Sequence, residues 1–298
     1  MNSQLRVGTR GSTLARTQTT AVLTELTDLV PDLTVDEVVI KTNDADAGDK
    51  SRFVGALEQA LIDDQIDLAV HSAKDLPGEL DSRLVLAAVP MRANPADALC
   101  GASSLDELPN GARVGTNSLR RRSQLLALRP DLQVAPLHGN VDTRLGRLQA
   151  GDWDAIVLAC AGLERLSRAD AIGCALDQMV PAPGQGCLAL QARADDAVVL
   201  RALAAINDSD SAACLMTERA AMAKLRASCN TPVGAHAQIF NGMIVVVGFI
   251  GLPDGSAWVR DEVSGDRSEA IDVGELLADR LTYAGGQDLL DQSEQWTI

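Results

Sequence analysis

The first two thirds of the chain repeat one pattern, and that repetition restricts the fold more than any other feature. Val7-Gly8-Thr9-Arg10-Gly11-Ser12 and Val114-Gly115-Thr116-Asn117-Ser118 both read as a strand entering a helix through a glycine turn with polar residues at its exit. Downstream, Val38-Val39-Ile40-Lys41-Thr42-Asn43 and Val134-Ala135-Pro136-Leu137-His138-Gly139-Asn140 are short strand-like runs ending at Asn. A helical segment follows in each, near 53–62 and 141–148, and the apolar strands 67–73 and 154–160 close the two units. The chain therefore contains two similar β-α-β-α-β halves. Alternating strands and helices predict an α/β fold of mainly parallel, doubly wound sheets, which bind ligands outside the carboxyl ends of their strands. Polar residues gather at those ends: Arg10, Ser12, Thr42, Lys50, Lys74 and Asp75 in the first half, and Asn117, Ser118, Arg120, Arg121, His138, Arg144 and Arg165 in the second. Two such halves facing each other make a cleft lined with cations, a geometry that receptors and enzymes share.

The sharpest local signal is Ser118-Leu119-Arg120-Arg121-Arg122. Ser118 is a candidate N-cap; Leu119, Leu125, Leu126 and Leu128 supply an apolar face, and Pro130 stops the run. Arginine in a first helical turn opposes the helix dipole by roughly 0.3–1 kcal/mol when exposed, and a bound anion reverses that sign. Three in succession point to a carboxylate or phosphate; the plainer alternative is a solvated basic turn.

That anion site has to be local, because the 298 residues carry a net charge of -15. Such a balance, with only three Trp, three Phe and one Tyr for base stacking, argues against a nucleic-acid partner. The start Met1-Asn2-Ser3-Gln4-Leu5-Arg6-Val7 lacks the apolar core of a signal peptide, and the apolar run near 243–250 is too short to span a bilayer, so a cytoplasmic protein without a membrane partner is expected. The six cysteines form no Cys-x-x-Cys pair and no close His spacing, which predicts free thiols and no metal site. After Gln191-Ala192-Arg193-Ala194-Asp195-Asp196 the pattern changes to a helix over 209–225, strands near Ile239 and 243–250, a hairpin turn at Pro253-Asp254-Gly255-Ser256 and an amphipathic helix over 272–283, which together read as a small α+β unit.

Seven segments, in order and at compatible spacing, resemble the porphobilinogen deaminase (hydroxymethylbilane synthase) family over nearly the whole chain. They are Gly8-Thr9-Arg10-Gly11-Ser12, His71-Ser72-Ala73-Lys74-Asp75-Leu76-Pro77, Gly115-Thr116-Asn117-Ser118-Leu119-Arg120-Arg121, Gly139-Asn140-Val141-Asp142-Thr143-Arg144, Ala161-Gly162-Leu163-Glu164-Arg165-Leu166, Pro183-Gly184-Gln185-Gly186 and Cys229-Asn230-Thr231-Pro232-Val233-Gly234. The resemblance implies a transferase of porphyrin and haem biosynthesis that joins four porphobilinogen molecules head to tail, with loss of ammonia, and frees the linear tetrapyrrole by hydrolysis. It implies three domains: 1–92 with 187–204, 93–186, and 205–298. The first two are similar doubly wound units resembling the halves of periplasmic binding proteins. It also implies a dipyrromethane cofactor held by a thioether to Cys229, no metal, and a monomer. Ser12, Lys74, Asp75, Ser118, Arg120 and Arg121 are then cofactor-binding residues, and Arg10, Lys50, His138, Arg144 and Arg165 substrate-binding ones. Asp75 is the expected catalytic residue. A fixed carboxylate that accepts a pyrrole N–H stabilises the azafulvenium-like cation left when ammonia departs.

Two positions depart from the family pattern. His138 stands where arginine is common, and Gly55 where lysine is common. Histidine titrates near neutrality, whereas arginine stays charged. Arg52, one helical turn before Gly55, is the candidate replacement cation. The alternatives to an active enzyme are a two-domain anion-binding protein with the same cleft and a catalytically impaired relative that still carries the cofactor.

Overall fold

The computed structural model describes residues 3–40, 51–228 and 230–296. Its first five-stranded sheet is built from β1 (Ser3–Arg10), β2 (Leu33–Ile40), β3 (Leu68–Ser72) and β4 (Leu84–Ala88), with α1 (Thr13–Leu29) and α2 (Ser51–Ile62) in the crossings. The second uses β5 (Asp97–Cys100), β6 (Arg113–Gly115), β7 (Gln133–Ala135), β8 (Ala155–Ala159) and β9 (Cys174–Ala175), with α3 (Leu119–Leu128), α4 (Val141–Gln149) and α5 (Cys160–Arg165). The chain then returns to the first sheet through β10 (Leu188–Arg193), followed by α6 (Ala197–Leu203).

The repeat extends to strand order. The first sheet runs β2-β1-β3-β10-β4 and the second β7-β6-β8-β5-β9, so each element of one half has its counterpart in the other. As expected of mainly parallel sheets, four of the five strands in each sheet run in one direction, and one runs against them. In each sheet two pairings are parallel, β1 with β2 and β3, β6 with β7 and β8. The fourth strand is antiparallel to both its neighbours. That strand is the one the chain enters immediately after crossing between the halves, β5 on the way out and β10 on the way back, which is why its direction is reversed.

Side chains alternate between the two covered faces of the first sheet, so that β3 and β10 are buried nearly throughout. Leu68, Val70 and Leu190 face α1 and α6 through Val22, Leu26, Val199 and Leu203. Ala69 faces α2 through Leu57 and Leu61. In the second sheet Val114, Ala155 and Val157 pack against Leu125 and Leu126 of α3, and Ile156 and Leu158 against Leu145 and Leu163. Leu128, expected on the apolar face of α3, is instead exposed.

The last part comprises α7 (Ser209–Lys224), the antiparallel meander β11 (Val233–Phe240), β12 (Met243–Gly251) and β13 (Trp258–Asp266), then α8 (Ala270–Leu281) and α9 (Gln287–Ser293). Its core is Ile244, Val246 and Val263 under Val273, Leu277 and Leu281 of α8.

The two crossings run side by side. Ala93 N–H donates to the Gly186 carbonyl at 3.2 Å, and Gln185 Nε2 to the Pro95 carbonyl at 2.6 Å. Gly186 lies at φ +89°, and a Cβ there would stand 2.3 Å from the Ala93 carbonyl oxygen, so only glycine permits this approach.

Candidate active site

The strand ends of both sheets converge on a cleft beside the crossings. Its wall carries Gln18 of α1, Ser72 at the end of β3, Lys74 just after it, Arg121 of α3, Arg144 of α4 and Arg165 of α5, together with Gly184, Gly186 and Cys187. Four cations and no carboxylate line it among the described residues, in a chain whose net charge is -15. Arg144 donates through Nε to the Gly139 carbonyl at 2.8 Å, and Arg165 through Nη2 to the Gly186 carbonyl at 2.7 Å. Neither has an acidic partner within ion-pair distance among the described residues, and burial pulls both guanidinium pKa values down while leaving them charged. Their remaining N–H groups are aimed donors for an anion.

The three arginines of α3 divide between different tasks. Ser118 is the N-cap, its Oγ accepting from Arg121 N–H at 3.4 Å. Arg120 and Arg121 are buried and converge on Asp97, the first residue of β5. Arg120 Nη1 lies 2.7 Å from Asp97 Oδ2, and Arg121 Nη2 2.8 Å from Oδ1. Burial pushes the Asp97 carboxyl up, but the two guanidiniums and Gln185 outweigh it and hold the pKa well below the usual carboxylate range. The helix start thus receives part of its anion from the protein itself. Arg120 also donates to the Val180 carbonyl and Arg121 to the Val157 carbonyl, each at 2.8 Å, and of the two it is Arg121 that lines the cleft wall. Arg122 donates to the Pro253 and Val134 carbonyls at 3.0 and 2.8 Å and bonds the second sheet's helix to the β12–β13 turn.

On the first-sheet side Ser12 caps α1, accepting from Ala15 N–H at 3.3 Å. Arg10 ends β1, and Asp75 ends the turn after β3; both are half-buried. Their charges meet at His71, which burial pushes down to about 4, Asp75 pulling it up and Arg10 further down. His71 is therefore neutral at pH 7. Its Nε2 lies 3.0 Å from Gln191 Oε1, and Gln191 Nε2 donates to Glu58 at 2.8 Å, so the ring proton sits on Nε2. Lys74 Nζ donates to Gln185 Oε1 at 3.3 Å. Gln185 Nε2 in turn donates to Asp97 Oδ1 at 2.9 Å, so one amide bridges the lysine to the buried arginine pair. His138 is exposed in the turn before Gly139, whose φ of +113° leads into the Asn140 cap of α4. Gly55 is exposed, with open space around its missing Cβ. Lys50, Thr42 and Cys229 lie outside the described residues.

The family model described as porphobilinogen deaminase, dipyromethane cofactor binding domain, matches residues 5–201, and that of the porphobilinogen deaminase C-terminal domain matches residues 212–283. The chain belongs to the porphobilinogen deaminase family. Curated porphobilinogen deaminases similar to it include that of Roseiflexus castenholzii, 44% identical over 302 residues, covering 97% of this chain and 99% of the relative. That of Trichlorobacter lovleyi is 41% identical over 306 residues, covering 99% and 98%. Among solved structures the chain is similar to a nutrient binding protein from Burkholderia cenocepacia bound to methionine, at 14% identity and a TM-score of 0.44, covering 68% of this chain and 91% of that one.

The donor set fits the family's dipyrromethane. Each of its two pyrroles bears an acetate and a propionate, and among the described residues the cleft wall carries Lys74, Arg121, Arg144 and Arg165 with no carboxylate in the lining. Two further features of this deaminase carried no clear sequence signal. Gln18 and Ser72 exchange side-chain hydrogen bonds of 3.0 and 3.1 Å at the cleft wall. Behind the crossings, Glu218 of α7 is fully buried; it accepts from Arg92 at 2.6 Å, Gly184 N–H at 2.6 Å and Ala237 N–H at 2.8 Å. Burial pushes the Glu218 carboxyl up, and Arg92 and His236 bring it below its ordinary value. The Pro-Gly-Gln-Gly motif marked one side of that network, but nothing in sequence marked Glu218 on the other.

Proposed function

We propose that the cleft between the two sheets is where this hydroxymethylbilane synthase of tetrapyrrole biosynthesis joins four porphobilinogen molecules head to tail and releases ammonia at each addition. The observation that carries the placement is the cationic wall: Lys74, Arg121, Arg144 and Arg165 stand together with no acidic residue in the lining among the described residues, suited to a chain in which every ring adds two carboxylates. Dipyrromethane, when bound, supplies the pyrrole carbon to which the first substrate is joined, and Cys229 is the residue assigned to hold it as a thioether.

Asp75 is assigned the chemistry. Its carboxylate accepts the pyrrole N–H of the incoming porphobilinogen and stabilises the positive charge that spreads onto that nitrogen as the aminomethyl group leaves as ammonia. The same oxygens take up the proton released when the carbon–carbon bond forms. Ser12, Lys74, Ser118, Arg120 and Arg121 serve the cofactor side, Arg120 through its buried pair with Asp97. Arg10, Lys50, His138, Arg144 and Arg165 serve the substrate carboxylates. The sheet-bearing parts 1–92 with 187–204 and 93–186 are assigned the two walls, and 205–298 carries Cys229 in its sequence. The enzyme acts as a cytoplasmic monomer without a nucleic-acid or membrane partner; no helix among the described residues is long and apolar enough to cross a membrane.

Turnover of porphobilinogen by the wild-type protein and by Asp75→Ala tests the assignment. Loss of Asp75 should lower kcat by about 10²–10³-fold, the usual effect of removing a group that stabilises developing charge. Activity within a few-fold of wild type in Asp75→Ala refutes the role.

A further inference from the structure

Asp75 closes a single 3-10 turn, Ala73–Asp75, and the structure fixes both sides of that turn. Upstream, Ala73 N–H donates to the Cys187 carbonyl at 3.1 Å and Lys74 Nζ to Gln185 Oε1 at 3.3 Å. Downstream, the chain leaves through Leu76, Pro77 and Gly78. The carbonyls of Pro77 and Gly78 accept the two hydrogens of one nitrogen, Arg219 Nη2, at 2.9 and 3.0 Å. Arg219 lies on α7, far along the chain, and has no carboxylate within ion-pair distance among the described residues. Burial alone draws its pKa down. Arg219 is half-buried, and the Pro77 and Gly78 carbonyls are its side-chain hydrogen-bond partners among the described residues.

We infer that Arg219 is a positioning residue for Asp75, acting through the backbone beyond the turn; the inference rests on the assignment of Asp75 above. Little slack separates the clamped carbonyls from the carboxylate. Leu76 sits at φ -71°, ψ 142°, the extended region that a following proline enforces, and the Pro77 ring fixes its own φ. Movement at Pro77 or Gly78 is therefore passed on to Asp75. A guanidinium presents its two hydrogens in one rigid plane, matched to two successive carbonyls, whereas an ammonium on a flexible stem does not. Glu218, the preceding residue, accepts the Gly184 N–H at 2.6 Å. One turn of α7 thus secures both the crossing behind the cleft and the loop that carries the proposed catalytic carboxylate.

The test uses the cofactor-loaded protein, its loading checked by intact mass, as Arg219→Met, Arg219→Lys, Asp75→Ala and the Arg219→Met, Asp75→Ala double variant. In Arg219→Met, kcat for porphobilinogen should fall about 10–100-fold, with KM within about twofold, as a misplacement near 1 Å predicts. Arg219→Lys should recover part of that loss, and Arg219→Met should lower kcat no further once Asp75 is absent. Unchanged kcat in Arg219→Met overturns the inference, and so does a raised KM at constant kcat, which makes Arg219 a substrate ligand instead. If Arg219→Met does not fold, Arg219→Lys decides: reduced kcat at constant KM supports positioning, and parental kcat overturns it. Full activity in Asp75→Ala refutes the assignment of Asp75 itself, an outcome separate from these.

Discussion

Replacing Asp97 by asparagine removes one negative charge from between two buried guanidiniums and leaves the shape of the side chain intact. Asp97 accepts from Arg120 at 2.7 Å, from Arg121 Nε at 2.9 Å and from Gln185 Nε2 at 2.9 Å, and its side chain is 0% exposed. An amide keeps one acceptor oxygen and turns the other position into a donor facing donors. Breaking a buried ion pair by neutralising one partner costs about 3–5 kcal/mol. Both arginines keep a carbonyl partner, Val180 and Val157, each at 2.8 Å, so the cost stays within that range instead of exceeding it. Thermal unfolding should then show a midpoint lowered by roughly 6–20 °C, at about 2–4 °C per kcal/mol. The sign with pH is definite. Because the folded carboxyl is held below its ordinary value, its contribution is complete above the unfolded carboxylate range and is lost as pH falls below it. The gap between wild type and Asp97→Asn should therefore be flat from about pH 5 to 8. A midpoint within 2 °C of wild type, roughly the shift for under 1 kcal/mol, would falsify the reading of Asp97 as the internal anion of α3.

Two further outcomes are expected. His71 is buried and neutral with its pKa pushed down to about 4, so the unfolded chain takes up its proton first as pH drops below about 6.5. Stability should decline between those limits by on the order of 3 kcal/mol, and denaturation midpoints of His71→Gln should lose that part of the pH slope; parallel curves would contradict it. Arg165→Ala removes a guanidinium whose bond to the protein is to the Gly186 carbonyl at 2.7 Å, and KM for porphobilinogen should rise about 10–100-fold, the worth of a charge-assisted hydrogen bond. A KM changed less than twofold would take Arg165 out of the substrate site.

How much of this was readable in the chain differs from element to element. The duplicated strand-turn-helix runs located β1, β3, β6 and β8, because glycine turns and apolar runs are local signals. Ser118 as N-cap was equally local. The antiparallel strands β5 and β10 were not readable as such, since a four-residue run such as Asp97-Ala98-Leu99-Cys100 carries no mark of the sheet it joins. The arginine cluster called for an anion, and the anion that Arg120 and Arg121 meet within the fold is Asp97, 23 and 24 residues away and unremarkable in its own segment. Glu218 and Arg219 were hidden for the same reason. Their partners, Arg92 and Gly184 on the crossings and Pro77 and Gly78 in the loop before β4, meet α7 only in the fold, and no periodicity in α7 records that.

The most direct test of a polymerising site primed by a covalent cofactor is the intact mass of the denatured protein before and after a brief exposure to porphobilinogen. The wild-type protein should carry an excess equal to two linked pyrrole units and then show up to four further increments, each one porphobilinogen less ammonia. Cys229→Ser should show neither, and Asp75→Ala should keep the excess while gaining increments slowly or not at all. A wild-type protein that carries no excess mass, or one that binds porphobilinogen without any covalent increment, contradicts the account.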